Sequence, residues 1–250
     1  MILIGTSGYN YPHWWNGVFY PADLPQRKWL EFYAEHFDTV ELNVSFYRLP
    51  AKEVFKNWLK RTPKRFFFGL KGSRFITHTK RLKECREPLS LLLEHAFPLR
   101  EKLGAVLWQL PPRFRFQKER LEEFCVLLST LPRSKSLRHV FEFRDESWLS
   151  KEAIQILEEF DFALCIAHGS GLPYVETVTS EFIYLRLHGG ETLYGSNYSD
   201  QELNQWAAKI RGWEKDGKTV FVYFNNDAYG FAIKNALTLR KLVSARSSSC

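Results

Sequence analysis

The chain has 250 residues, of which 45% are hydrophobic, 25% charged and 16% aromatic; this composition builds a packed core and excludes a disordered segment, a fibre or a disulfide-stapled miniprotein. Lys and Arg outnumber Asp and Glu by 35 to 28, and the stretch from Lys60 to Arg86 alone holds ten bases against one acid, Glu84. No apolar run approaches the roughly 20 residues that span a bilayer, and Met1 leads straight into a strand-like segment, so the expectation is a cytoplasmic protein with no membrane partner.

Eight short β-rich runs follow one another along the chain, at 2–5, 39–43, 66–71, 105–110, 139–144, 162–167, 182–188 and 220–225. Amphipathic helical patterns follow seven of them, at 26–37, 52–61, 89–102, 117–129, 151–160, 200–214 and 229–243, and only 169–180 lacks one. Ser150 and Ser199-Asp200 offer side-chain oxygens to the free amides of a first helical turn. Eight strands alternating with helices predict an α/β fold: a single TIM (β/α)8-type barrel of parallel strands over residues 1–245, its site at the C-terminal face. Residues 246–250 read as a frayed tail. No G-x-G-x-x-G or G-x-x-x-x-G-K-[ST] run occurs, so the nucleotide folds marked by those loops lose support.

Strands covered on both sides should be apolar, so polar residues near their C-terminal ends need a reason. Side chains alternate along a strand. Glu41 and Asn43 therefore oppose Val40 and Leu42, and Glu142 and Arg144 oppose Phe141 and Phe143. Tyr184, Arg186 and His188 oppose Ile183, Leu185 and Leu187, and Tyr223 and Asn225 oppose Val222 and Phe224. Lys71 and Gln109 end strands three and four with the same break in polarity. The polar set converges on one mouth.

Lys71, Arg144 and Arg186 suit a carboxylate or phosphate, because guanidinium donates in pairs to two oxygens. The expected roles are Glu41 or Glu142 as general base, His188 as acid or donor, and Asn43, Gln109 and Asn225 as orienting groups. Tyr47 and Arg48 after strand two, and Asn226 and Asp227 after strand eight, complete the substrate-binding set. A self-neutralising plug of buried Glu and Arg is the structural alternative. No cofactor and no metal is assigned, since no H-x-H or H-E-x-x-H spacing supports one.

The basic run, with Lys64, Arg65, Arg74, Lys80 and Arg81, reads as a footprint for nucleic acid or another polyanion, or as a solvated face. The leading expectation is an enzyme acting on a small, phosphate-bearing anion or on nucleic acid; the alternatives are a non-catalytic polyanion binder and a glycoside hydrolase. Oligomeric state is left open. Cys85, Cys125, Cys165 and Cys250 lack C-x-x-C spacing and read as free thiols. The run Tyr9-Asn10-Tyr11-Pro12-His13-Trp14-Trp15 reads equally as a lid with stacking faces or as a packed plug.

In its motifs the sequence resembles the family called domain of unknown function 72, the YecE-like proteins. The blocks are Gly5-Thr6-Ser7-Gly8, Thr39-Val40-Glu41 with Asn43, Phe46-Tyr47-Arg48, Lys71, Gln109-Leu110-Pro111-Pro112, Phe141-Glu142 with Arg144, Arg186 with His188-Gly189, and Tyr223-Phe224-Asn225-Asn226-Asp227. Tyr9 stands where the family usually has Trp, and Ser45 where Thr is common. The resemblance implies a TIM-barrel fold and carries no established activity.

Overall fold

The structure is a computed structural model and describes residues 1–245. The expectations for the 246–250 tail and for Cys250 fall outside the described residues. The strands are β1 (Ile2–Thr6), β2 (Thr39–Leu42), β3 (Phe67–Lys71), β4 (Leu103–Gln109), β5 (His139–Glu142), β6 (Ala163–Leu164), β7 (Ile166–His168), β8 (Phe182–Leu187) and β9 (Thr219–Phe224). The main helices are α1 (Trp29–His36), α2 (Val44–Tyr47), α3 (Lys52–Lys60), α4 (Arg86–Ala96), α5 (Lys118–Thr130), α6 (Lys151–Glu159), α7 (Asp200–Lys215) and α8 (Phe231–Ser244). Ser150 accepts from the Ala153 amide at the start of α6, and Ser199 with Glu202 forms a reciprocal cap on α7, as the sequence predicts.

All strand pairs are parallel, in two sheets: β1-β9-β8-β7 and β2-β3-β4-β5-β6. The expectation of one uninterrupted eight-stranded ladder is therefore met only in part. Predicted strand six is divided at Cys165, whose amide reaches back to the Phe141 carbonyl at 2.8 Å. At the other seam the Tyr33 hydroxyl enters the ladder, accepting from the Thr6 amide at 2.9 Å and donating to the Thr39 carbonyl at 3.1 Å. A side chain thus replaces backbone pairing there. Beyond it, β1 and β2 touch through a Ser7–Glu41 bridge and a Gly8 amide on the Glu41 carbonyl. Gly5 permits the approach, because a Cβ there would lie 2.1 Å from the Thr39 oxygen.

The alternation of side chains sorts the core into two populations. Val40, Leu42, Val106, Trp108, Phe141, Ile183, Leu185, Leu187, Val222 and Phe224 pack in the larger cluster with helical residues such as Leu89 and Trp206. Leu3, Ala105, Leu107, Val140, Tyr184, Phe221 and Tyr223 form a second cluster on the opposite face of the same strands. Gly69 belongs to this inner face: a Cβ would meet the Tyr184 and Tyr223 hydroxyls at 2.9 and 3.1 Å, so two phenols fill the space one glycine leaves. The polar residues stand above these phenols, where the strands end. Among the described residues no helix is long and apolar enough to cross a membrane.

Candidate functional site

Arg186, the next inward position after Tyr184 on β8, is fully buried and lies between two fully buried carboxylates. Its Nη2 donates to Glu41 Oε1 at 2.7 Å and its Nη1 to Glu142 Oε2. Glu41 also accepts from the Ser7 hydroxyl, and from Tyr184 Oη at 2.7 Å. Ser7 in turn accepts from Asn43 Nδ2 at 2.9 Å and from Arg186 Nη2 at 3.1 Å. Glu142 is paired a second time, through its other oxygen, with Arg144. Burial by itself would raise the Glu142 carboxyl, but the guanidiniums of Arg144 and Arg186 outweigh it and hold that carboxyl well below the usual range.

This closed arrangement tells against two expected roles. Neither Glu41 nor Glu142 is exposed; Glu142, held so firmly as an anion, is a weak base at neutral pH, and the Glu41 oxygens are already taken by Ser7, Tyr184 and Arg186. Their visible work is to hold Arg186 and Arg144 in place. The geometry matches the plug alternative at the centre of the mouth.

The rim differs. Lys71 ends β3 facing inward with Gly69, half-buried, and its ammonium lies 4.2 Å from the centre of the Phe46 ring. It makes no ion pair and no side-chain hydrogen bond among the described residues. Burial pulls its pKa down to about 8, the nearby Arg186 adding to that and Glu142 and Glu41 opposing it. His188 is buried, and Asn225 Nδ2 lies 3.1 Å from its Nδ1. An amide nitrogen only donates, so the ring proton sits on Nε2. Burial, then Arg186, keeps this ring neutral, well below its ordinary pKa. Its Nε2 stands 3.9 Å from Glu142 Oε1, too far for a hydrogen bond, and has no other partner. Arg186 Nε and Asn43 Oδ1 are likewise buried without partners.

Three donors (Lys71 Nζ, Arg186 Nε and His188 Nε2) and one acceptor (Asn43 Oδ1) therefore remain unused at the strand ends. Buried polar atoms are costly to leave unpaired, so such a group marks a place where a guest can pair them. Donors outnumber acceptors, which favours an anion. Among the described residues no group of three or more His, Cys, Asp or Glu side chains is arranged to hold a metal ion.

The other expected residues divide. Gln109 ends β4 half-buried on the inner face. Tyr47 and Arg48 are exposed on the rim, beside the Phe46 ring that underlies Lys71. Asn226 turns away: its Nδ2 donates to the Ser196 carbonyl and to Asn235 Oδ1, both at 2.9 Å, pinning a loop to α8. That correction follows from parity, since Asn226 succeeds the inward-facing Asn225. Asp227 is half-buried with His13 3.9 Å away, and burial raises its carboxyl.

The basic run does not form one footprint. Lys64 and Arg65 precede β3 whereas Arg74, Lys80 and Arg81 follow it, so roughly 13 Å of strand separates the two groups at opposite ends of the sheet. Arg65 is engaged with Asp38 at 3.2 Å. The aromatic run is mainly a packed cover: Trp14 is fully buried against Tyr11, Phe19 and Tyr20, Tyr11 Oη donates to the Ser7 carbonyl at 2.6 Å, and Trp15 is exposed. Cys85, Cys125 and Cys165 are buried free thiols.

Sequence reasoning passed over the parts Ser7, Tyr184 and Phe46 play. Ser7 ends the Gly5-Thr6-Ser7-Gly8 block beyond β1, and Phe46 opens Phe46-Tyr47-Arg48, so both had a motif but no assigned role. Nothing in the local sequence says that one hydroxyl will touch three charged or polar partners.

The class defined by these features is an α/β protein of parallel strands that gathers a charged site at their C-terminal ends. The chain belongs to the family described as "Protein of unknown function DUF72", whose sequence profile matches residues 3–250. It is 28% identical to the UPF0759 protein YunF of Bacillus subtilis (strain 168), over 99% of this chain and 96% of that one. It is 33% identical to the UPF0759 protein YecE of Escherichia coli (strain K12), over 46% of this chain and 39% of that one. Among solved structures, the crystal structure of a DUF72 family protein from Thermotoga maritima matches with a TM-score of 0.85 and 29% identity, covering 98% of this chain and 99% of that one.

Proposed function

We propose that the mouth binds a small anion, a phosphate ester or carboxylate, and acts on it by proton transfer through Lys71. The observation that carries this reading is the ammonium of Lys71, half-buried at a strand end with no acidic partner, beside the unpartnered Nε2–H of His188 and Nε–H of Arg186. Hydrogen-bond donors and a cation that share one mouth stabilise negative charge on an oxygen bound among them. With a pKa near 8, Lys71 is mostly protonated at neutral pH yet gives up its proton more readily than a free lysine, which suits a general acid. Glu41 and Glu142 hold Arg186, while Asn43 and Gln109 orient the guest.

A non-catalytic anion receptor is the second reading, favoured by the complete pairing of both carboxylates. Glycoside hydrolysis has less support, because it needs a carboxyl whose pKa is raised, and Glu142 moves the other way. In this reading the two sheets work as one barrel and one domain over residues 1–245, supported by the Ser7–Glu41 bridge and the one-residue break at Cys165. Three buried free thiols fit a reducing, cytoplasmic setting.

Titration calorimetry with inorganic phosphate and with phenyl phosphate tests the proposal. Binding that Lys71→Met abolishes supports it; no binding, or binding indifferent to Lys71→Met, overturns it. Turnover of phosphate esters that Lys71→Met removes would select the enzyme over the receptor.

A further inference from the structure

The loops at the C-terminal ends of the strands are divided by charge. Those at 43–51, 72–85, 110–117 and 143–150, which follow β2 to β5, carry eight Lys and Arg against three acids. Those at 7–28, 169–181, 188–199 and 225–230, which follow β1, β7, β8 and β9, carry five acids against two bases, Arg27 and Lys28, which sit together where the first of them enters α1. A basic half faces an acidic half across the mouth.

The loop after β4 shows how the basic half is built. Phe114 is buried against Trp148, and Phe116 packs on the same indole. The intervening Arg113 and Arg115 are therefore turned outward, and both are exposed. Arg113 holds φ at 59° after Pro112, a backbone region that disfavours side chains bearing a Cβ. An open groove of about 680 Å³ runs beneath them, lined by Arg113, Arg115 and Arg144 with Asp145, Glu146 and Ser147 among its walls. Asp145 is occupied in capping, accepting from both the amide and the hydroxyl of Ser147. Arg144 lines the groove and also pairs with Glu142, so one side chain borders both the groove and the mouth.

The same half carries aromatic faces. Tyr47 is 78% exposed and Phe75 51% exposed. Their loops are in contact, since Phe46 packs on His78 with ring centres 5.1 Å apart. Lys80 lies 5.8 Å from the Phe75 ring centre. Cations interleaved with bare aromatic rings suit a strand whose bases are free to stack, whereas a duplex hides its base faces.

We infer that the basic half of this face, from Tyr47 and Phe75 to the Arg113–Arg115–Arg144 groove, binds single-stranded nucleic acid and leads one of its phosphates to the mouth. This rests on the mouth being an anion site, and it names the class of substrate. Lys64 and Arg65, at the other end of β3, take no part.

Fluorescence anisotropy with a labelled 20-nucleotide deoxythymidine strand, over a series of salt concentrations, tests it. The wild-type chain should bind with a steep salt dependence. In Arg113→Gln/Arg115→Gln the slope of log affinity on log salt should fall by about 1.4, two phosphate contacts at about 0.7 each. Tyr47→Ala/Phe75→Ala should weaken binding about five-fold or more and leave the slope unchanged. Lys64→Gln/Arg65→Gln should bind as wild type. Absence of strand binding by the wild type, equal loss in the Lys64/Arg65 variant, or tighter binding to a duplex of the same length would overturn the inference. Phosphate calorimetry on the same samples separates the two claims. Phosphate bound at Lys71 without strand binding removes only the strand. Strand binding untouched by Lys71→Met, with no phosphate bound, removes the mouth as its endpoint.

Discussion

Arg186 and Lys71 face the same interior from neighbouring parts of the mouth, and their surroundings are opposite. Arg186 is enclosed and shares both ends of its guanidinium with carboxylates; Lys71 is half-open and shares its ammonium with nothing but a ring face. A buried charge that is paired holds structure, and removing its partner is expensive. A charge left without a partner at an opening contributes little to folding and is free to meet a ligand. The centre of the mouth is built for permanence and its rim for binding.

The sharpest break of this contrast is Arg186→Met, which leaves Glu41 without a cation and Glu142 with Arg144 alone. We expect a loss of about 3–5 kcal/mol in denaturant unfolding. Lys71→Met should change stability by under about 1 kcal/mol, since it removes a charge that burial disfavours, while abolishing phosphate binding. Equal destabilisation by the two variants would dissolve the distinction between centre and rim.

Glu142→Gln comes next. It leaves Arg144 and Arg186 facing a neutral amide, so stability should fall by about 2–3 kcal/mol, but phosphate should bind more tightly, because a negative neighbour is gone. Loss of phosphate binding in a folded Glu142→Gln variant would return that carboxylate to a direct role.

Acid separates the two regions again. The Glu142 carboxyl has a folded pKa below its unfolded value near 4.3, so the unfolded chain binds the extra proton. Its contribution is fully present above about pH 4.3 and declines as the pH falls toward the folded value. Unfolding free energies measured from pH 6 to pH 3 should drop more steeply for wild type than for Glu142→Gln. A parallel decline would contradict this.

The smallest effect concerns alkaline pH. Lys71 loses its proton near pH 8, so affinity for the phosphate dianion, referred to the dianion concentration at each pH, should be level below about pH 7 and fall through pH 8. Lys71→Arg should move that fall to higher pH, since guanidinium stays charged. Calorimetry from pH 6.5 to 9.5 checks it; a fall unchanged in Lys71→Arg would assign the titration to another group.

Much of this was readable from periodicity. The inward positions Glu41, Lys71, Glu142, Arg186 and His188 follow from alternation once the strands are placed, because a pleated backbone leaves no other choice. Asn226 departs from the expected set because the same alternation, carried one residue past Asn225, turns it away from the mouth. The Lys60–Arg86 run misled for a different reason: nearness in sequence ignores the strand that carries the chain from one end of the sheet to the other. Arg113 and Arg115 are not legible as a site in the sequence, because two arginines in a short loop look ordinary until Phe114 and Phe116 pack on Trp148.

The order of elements, the face each strand residue takes and the caps of α6 and α7 were decided by the sequence alone, since each depends on neighbours a few residues away. The pairing of charges was decided only by the tertiary structure. Whether Glu142 is a base or an anchor depends on the distance to Arg144 and Arg186, and whether Lys71 is committed or free depends on what stands across the mouth. Electrostatic interaction is set by separation in space and by burial, and the linear chain records neither.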